Sequence, residues 1–264
     1  GILAKKSEIP EHILAIRQKS KIKNTYLDKI IPQLDKDSRL RTSFNLHSTT
    51  SGRLSSSGKL NMQQIPRDNP IVKGCITAST GSQIVAMDLT TAEVYVAAKL
   101  ANDEALMNVF RSGGNFHSTI AKTVFKLPCE VERVAELYPH KRQAAKAVSF
   151  GIMYGAGPYR MSQELAISMA EAKTLIDIYF NTYPGIRKYM DETLSFARKK
   201  GYVETMYGRR RRTGNLHASN RNLVQAEERA AINMPIQGTA ADLIKIAMIN
   251  IHKRMAGEGY RSKM

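Results

Sequence analysis

The stretch Arg142-Gln-Ala-Ala-Lys146-Ala-Val-Ser-Phe150-Gly-Ile-Met-Tyr154-Gly155 sets a guanidinium, an ammonium and two aromatic rings at successive four-residue steps. On a helix each such step advances roughly 40° past a full revolution, so the four side chains form one slowly drifting stripe. Ala145, Val148 and Ile152 fall on the opposite side. The pattern predicts a helix with an apolar face for a core and a cationic, aromatic face for a cleft, which suits an anionic ligand carrying a flat ring. A nucleotide meets that description. Taken alone, the same residues also read as an amphipathic surface helix with solvated cations.

Charge favours the first reading. Forty Lys and Arg against 23 Asp and Glu give a net charge of +17, a field suited to a polyanion. Nucleic acid is the expected partner. A membrane is not, because no run of about 18 apolar residues exists; Leu243 to Ile251 is interrupted by Lys245 and Asn250. With 264 residues, 42% of them apolar, the chain can bury a substantial core as one large domain or two small ones. Cys75 and Cys129 give neither a disulfide framework nor zinc spacing, and no secretory signal is visible. The expectation is a protein of a reducing compartment, with a numbering that starts at Gly1 inside a longer or processed product.

Apolar spacing predicts two short helices before residue 40, then a Ser/Thr/Asn/Gly-rich region to Pro70 read as strand and loop. Ser82 to Met87 reads as a buried strand ending at Asp88. Thr90 and Glu93 have capping-box spacing for a helix whose inward face is Val94, Ala97, Ala98 and Ala101. Helices follow over Glu104–Arg111, His117–Phe125, Glu130–Tyr138, the Arg142 segment, Ala170–Phe180 and Ile186–Lys200. Tyr202 to Arg212 reads as a hairpin with a basic turn. Leu223 to Asn233 is helical up to Pro235, which should end or kink it, and Thr239 should cap a last helix through Met255.

Several polar residues could carry chemistry. Asp88, at a strand end, can give a divalent cation a hard oxygen ligand, or simply cap the next helix. Arg229, Asn233 and Gln237 repeat the four-residue spacing and could reach groove acceptors on bases or sugars, or be ordinary solvent-exposed groups. Arg209 to Arg212 is a solvated turn or a phosphate contact.

Ser51-Gly52-Arg53-Leu54-Ser55-Ser56, Asn61-Met-Gln-Gln64-Ile-Pro66, Asp88 to Glu93, Arg142 to Gly155, and Arg229-Ala-Ala-Ile-Asn233-Met-Pro-Ile-Gln237-Gly-Thr-Ala-Ala-Asp242 occur in the order seen in family A DNA polymerases, which this chain resembles over residues 38 to 255. The resemblance implies an α+β right-hand fold, with helical fingers on an incomplete antiparallel-sheet palm and a thumb-base stub. Residues 1–40 would be thumb-base helices, 41–108 the first part of the palm, 109–213 the fingers and 214–264 the second part of the palm. Gly113-Gly114 and Gly155-Ala-Gly157 would serve as hinges for closing the fingers. It further implies primer-template DNA and a deoxynucleoside triphosphate as partners and two Mg²⁺ ions as cofactors. Asp88 and the Leu89 carbonyl would hold metal. Arg142 and Lys146 would grip the triphosphate, His117 would approach its outer phosphates, and Phe150 would pack on base and sugar. Glu93 would crowd the sugar 2′ position, and Tyr154 would lie where the templating base enters. Arg53, Asn61, Gln64, Arg229, Asn233 and Gln237 would contact the primer-template.

The match has departures. In the first metal motif Tyr95 replaces a common Arg and Thr91 a common Gln; Ser149 stands where Asn often precedes the phenylalanine. The second metal aspartate belongs to a His-Asp-Glu turn expected just after Gly259-Tyr-Arg-Ser-Lys-Met264, so the resemblance implies that a second polypeptide or a further segment supplies it. The alternatives are a catalytically inactive nucleic-acid-binding subunit with the same fold, and a single-subunit RNA polymerase, which Glu93 and Phe150 disfavour. The expected setting is cytoplasmic or nucleoid-associated, or a viral protein in a host cell, and not secreted.

Overall fold

The structure, a computed structural model, describes residues 8–58, 61–66, 69–89, 91–113 and 115–264. These fall into two compact units, one of residues up to Thr49 with Leu54–Asp88, the other of Thr50–Arg53 with Leu89–Met264.

In the first unit, α1 (Glu8–Ile22) runs through a π turn at Lys23–Leu27 into α2 (Asp28–Ile30) and a 3₁₀ turn at Ile31–Gln33. The two short helices expected here are therefore one continuous stretch, since Ile22 and Asp28 at the joins both keep right-handed helical backbone. Within the π turn Tyr26 is buried against Val72, and its hydroxyl donates to the Gln64 carbonyl at 2.6 Å. Asn69 caps α3 (Pro70–Gly74) by accepting from the Val72 amide at 3.1 Å. β1 (Ser43–Asn45) pairs antiparallel with β2 (Ser55–Ser57), Phe44 opposite Ser56.

Ser82 to Met87 is not a strand. It is irregular and exposed, with Ile84, Val85 and Met87 at 62%, 78% and 81%. A strand needs a neighbour for its amides, and none of the strands among the described residues pairs with this run. Apolar content alone could not supply that neighbour.

In the second unit come α4 (Ala92–Leu100), α5 (Glu104–Arg111), α6 (Phe116–Phe125), a 3₁₀ turn at Val131–Arg133 leading into α7 (Val134–Leu137), α8 (Pro139–Met153), α9 (Pro158–Leu165), α10 (Met169–Thr182) and α11 (Pro184–Lys200). Strands β3 (Tyr202–Glu204) and β4 (Arg210–Arg212) form an antiparallel hairpin, and a 3₁₀ turn at Gly214–His217 precedes α12 (Arg221–Gly257). The core is built where α6 lies on α8, with Ile120 and Ala121 of one helix and Ala145, Val148 and Ile152 of the other almost wholly buried. Tyr179 of α10, Tyr183 at the joint between α10 and α11, Ile186 of α11 and Ile232 of α12 complete it.

Asp103 ties two helices together. Its carboxylate caps α5 by accepting from the Leu106 amide at 2.9 Å and also accepts from the Gly185 amide, in the first turn of α11, at 2.8 Å. A Cβ on Gly185 would lie 2.8 Å from the Asp103 side chain and 2.9 Å from the Ala101 carbonyl, so only glycine fits that approach.

In this unit one local expectation falls outside the described residues and another fails. Thr90 lies outside the described residues, and α4 starts from Thr91 in the left-handed region with no side-chain cap; Glu93 is engaged elsewhere, with Tyr154. The capping box that does form is Ser168 with Glu171, at the start of α10. α12 does not stop at Pro235: it spans 37 residues in all, Arg221–Gly257, and Thr239 sits inside it. Pro235 and its neighbours Met234 and Ile236 are buried, so packing holds the helix together despite the lost amide. The Tyr189 hydroxyl of α11 donates to the Ile232 carbonyl at 3.1 Å and ties α12 to its neighbour three residues before the proline. Beyond Asp242 the helix turns apolar and uncovered: Leu243, Ile244, Ile246, Met248, Ile249 and Ile251 are 37% to 53% exposed.

Candidate active site

The predicted stripe on α8 exists. Ala145, Val148 and Ile152 are at most 2% exposed, while Arg142, Lys146 and Phe150, with Tyr154 just past the helix end, lie on the accessible side. The N-terminus of α6 meets this stripe. Asn115 caps it by accepting from the Ser118 amide at 3.1 Å, and Arg142 donates to the same Asn115 oxygen at 3.3 Å. His117, in the first turn of α6, places its ring 5.7 Å from that of Phe150.

The electrostatics of this cluster favour an anion. The His117 Nδ1 and the Arg142 Nε are buried with no hydrogen-bond partner, and unpaired buried polar atoms are costly unless a ligand completes them. Burial, then the charges of Lys146 and Arg142, hold the His117 pKa down to about 4. The imidazole is thus neutral at pH 7 in the free protein. Because the folded pKa lies below the ordinary 6.5, the unfolded chain takes up a proton that the folded chain refuses. This contribution to stability is intact above about pH 6.5 and is lost as pH falls toward 4. Urea midpoints at pH 7 and pH 5 should therefore lie further apart in the wild type than in His117→Gln, and equal separations would remove His117 as the cause.

A second cluster adjoins the first. The Tyr154 hydroxyl donates to Glu93 on α4 and is also reached by Gln237 of α12; burial first, then the Glu93 bond, raises its pKa. Arg53 brings its guanidinium within 3.8 Å of Glu93. Gly155, with φ +69°, lies against the stem of Arg229: a Cβ there would come within 2.6 Å of that side chain. Asn233, one turn before Gln237, is half-buried on the same helix. So His117, Arg142, Lys146, Phe150, Tyr154, Glu93, Arg53, Arg229 and Gln237 all belong to one compact unit.

Three expected residues are placed in the other unit. Asn61 caps a 3₁₀ turn by accepting from the Gln63 amide at 3.0 Å, Gln64 is exposed, and Asp88 is exposed at the unit's last position. Gln63, not singled out from sequence, holds the β2 edge by accepting from the Ser56 amide at 2.8 Å and donating to the Leu54 carbonyl at 3.1 Å. Among the described residues no group of three or more His, Cys, Asp or Glu could cage a metal. An exposed Asp88 carboxylate beside the exposed Leu89 still fits Mg²⁺, which takes one or two protein carboxylates and draws its other ligands from water and phosphate. Sequence reasoning also missed an aromatic row behind His117, in which Tyr95 meets Phe110 edge to face at 5.2 Å and Phe110 stacks on Phe116 at 4.8 Å. Cys75 and Cys129 are both free, and no helix among the described residues is long and apolar enough to cross a membrane.

The architecture is similar to that of the POL domain of Pol1 from M. smegmatis in complex with DNA primer-template and dNTP, at a TM-score of 0.88 and 36% identity over 97% of this chain and 45% of that one. Helices packed around small antiparallel sheets here form a right-hand polymerase fold. The sequence model described as DNA polymerase family A matches residues 2–264, and the chain belongs to that family. It is 38% identical to the DNA polymerase of Escherichia phage T5 over 99% of this chain, and 42% identical to the thermostable DNA polymerase I of Thermus thermophilus over 96% of it. It spans 33% and 30% of the lengths of those two relatives.

Proposed function

We propose that this chain takes part in template-directed DNA synthesis, in which a primer 3′-hydroxyl attacks the α-phosphate of a deoxynucleoside triphosphate and pyrophosphate leaves. The observation that carries the reading is the joining of α6 and α8 around two buried atoms with no hydrogen-bond partner, the His117 Nδ1 and the Arg142 Nε, with Lys146 and Phe150 beside them. Arg142 and Lys146 hold the triphosphate and offset the charge that grows during transfer, His117 meets the outer phosphates as a neutral hydrogen-bonding group, and Phe150 packs on base and sugar. Glu93, held by the Tyr154 hydroxyl, stands at the sugar 2′ position and disfavours ribose. Arg53, Arg229, Asn233 and Gln237, with Asn61 and Gln64 from the first unit, contact the primer-template.

Asp88 and the Leu89 carbonyl are the residues that would hold Mg²⁺. A pair of such ions, when bound, activates the attacking oxygen and stabilises the leaving one. The second carboxylate is proposed to come from outside these 264 residues, on a second polypeptide or further segment with a His-Asp-Glu turn. Residues 1–40 are assigned to the thumb base, 41–108 and 214–264 to the palm, and 109–213 to the fingers.

Primer extension with a His-Asp-Glu-bearing segment added, run separately with deoxyribonucleotides and ribonucleotides, tests the reading. Extension with deoxyribonucleotides is expected. DNA binding with no extension would favour the catalytically inactive binding subunit, and a preference for ribonucleotides would overturn the assignment of Glu93. In the same assay Arg53→Ala should weaken primer-template binding about tenfold and slightly flatten its salt dependence. Unchanged affinity and extension would remove Arg53 from the interface.

A further inference from the structure

We infer that Asp242 is a positioning residue that fixes the loop carrying Arg53, acting through Arg209. The inference rests on the proposal that Arg53 contacts the primer-template.

Three segments distant in sequence meet at this point: the Thr50–Arg53 loop, the turn between β3 and β4, and the middle of α12. The turn is pinned to the helix twice. The Met206 amide donates to the Thr239 hydroxyl at 3.0 Å, and the Thr205 hydroxyl, which accepts from the Arg209 amide at 3.2 Å, itself donates to the Asp242 Oδ2 at 3.4 Å. The other carboxylate oxygen, Oδ1, takes the Arg209 guanidinium, from Nη2 at 2.7 Å and Nε at 3.3 Å. Asp242 is 8% exposed, and a carboxylate so buried is tolerable only because both oxygens are occupied and Lys245 stands 4.0 Å away.

The guanidinium held in this way is where the loop rests. Gly52 has φ +76°, and a Cβ on it would lie 2.4 Å from the Arg209 Nε and 2.5 Å from the Cζ. Both the backbone conformation and the approach demand glycine. On the other side, a Cβ on Gly238 of α12 would lie 3.1 Å from the Ser51 carbonyl and 2.4 Å from the Thr205 methyl, so the helix backbone lies directly against the loop backbone and a side chain of the turn. The next residue is Arg53, whose guanidinium reaches Glu93. The setting of Arg53 over the Glu93–Tyr154 pair therefore depends on the backbone at Gly52, which lies against a guanidinium held by Asp242.

The experiment uses the full chain, with Arg53→Ala, Asp242→Asn, Gly52→Ala and the Asp242→Asn/Gly52→Ala double variant. Asp242→Asn keeps the shape of the side chain and removes its charge; Gly52→Ala pushes the guanidinium aside with Asp242 intact. Affinity for a fluorescent primer-template is measured by anisotropy, dATP binding is followed from the His117 imidazole signal, and melting curves report folding. Each single variant should weaken DNA binding about fivefold or more, the double should be no weaker than the worse single, and dATP binding should stay within about twofold in the Asp242 and Gly52 variants. If Asp242→Asn is unfolded at the assay temperature, Gly52→Ala decides by the same criterion. Wild-type DNA affinity in the folded Asp242 or Gly52 variant, alongside weakened binding in Arg53→Ala, would overturn the inference and leave the polymerase reading standing. So would additive losses in the double variant. Wild-type affinity in Arg53→Ala would instead remove the interface on which the inference rests.

Discussion

Lys146→Ala is expected to lower the rate of nucleotide incorporation by about 100-fold or more, because a fixed cation aimed at developing phosphate charge is worth several kcal/mol in the transition state. Lys199→Ala, in the last turn of α11, should change it little. Equal effects would undermine the case for a functional stripe on α8. A second readout needs no turnover. The charge of Lys146 helps hold the His117 pKa down to about 4, so the alanine variant should move that pKa up, toward 6.5, as followed by the pH dependence of the imidazole NMR signal. An unmoved His117 would mean that the two groups are not neighbours in solution.

Asp103→Ala carries the largest expected cost in stability, about 3 kcal/mol. Loss of an N-cap contributes about 1 kcal/mol, and the Gly185 amide, left without an acceptor in a part-buried site, contributes about 1 to 3 more. For a chain of this size the melting temperature should fall by roughly 10 °C. Asp103→Asn retains one carbonyl oxygen and should lose less than half of this. A drop confined to a degree or two in the alanine variant would show that α5 and α11 are held by apolar packing alone.

What could be read from the residues was whatever their immediate neighbours decide. α5 spans Glu104–Arg111 as expected, since its apolar spacing and the preceding Asp103 are local signals, and the opposed faces of α8 follow from periodicity. The failures share a cause. Pro235 breaks a helix in isolation but not one whose next turn is buried, and Ser82 to Met87 has strand composition without a strand beside it. Gly157 and Pro158 look like a loop and hide the start of α9, although a proline is at home in a helix's first turn. Of the candidate site, the stripe was legible, and so were the side chains that meet it. The clasp of Asp242 on Arg209 was not: the carboxylate and the guanidinium lie on different elements, and Gly52 is far from both in sequence.

The uncovered apolar end of α12 has a practical side. Copies of a chain with net charge +17 repel one another, and this repulsion opposes adhesion between faces formed by Leu243, Ile244, Ile246, Met248, Ile249 and Ile251. Added electrolyte weakens that repulsion over the same range of ionic strength in which it loosens contacts with phosphate. A titration that shows DNA falling away as salt rises is thus a colloidal experiment too, and light scattering beside it separates lost grip from clumping.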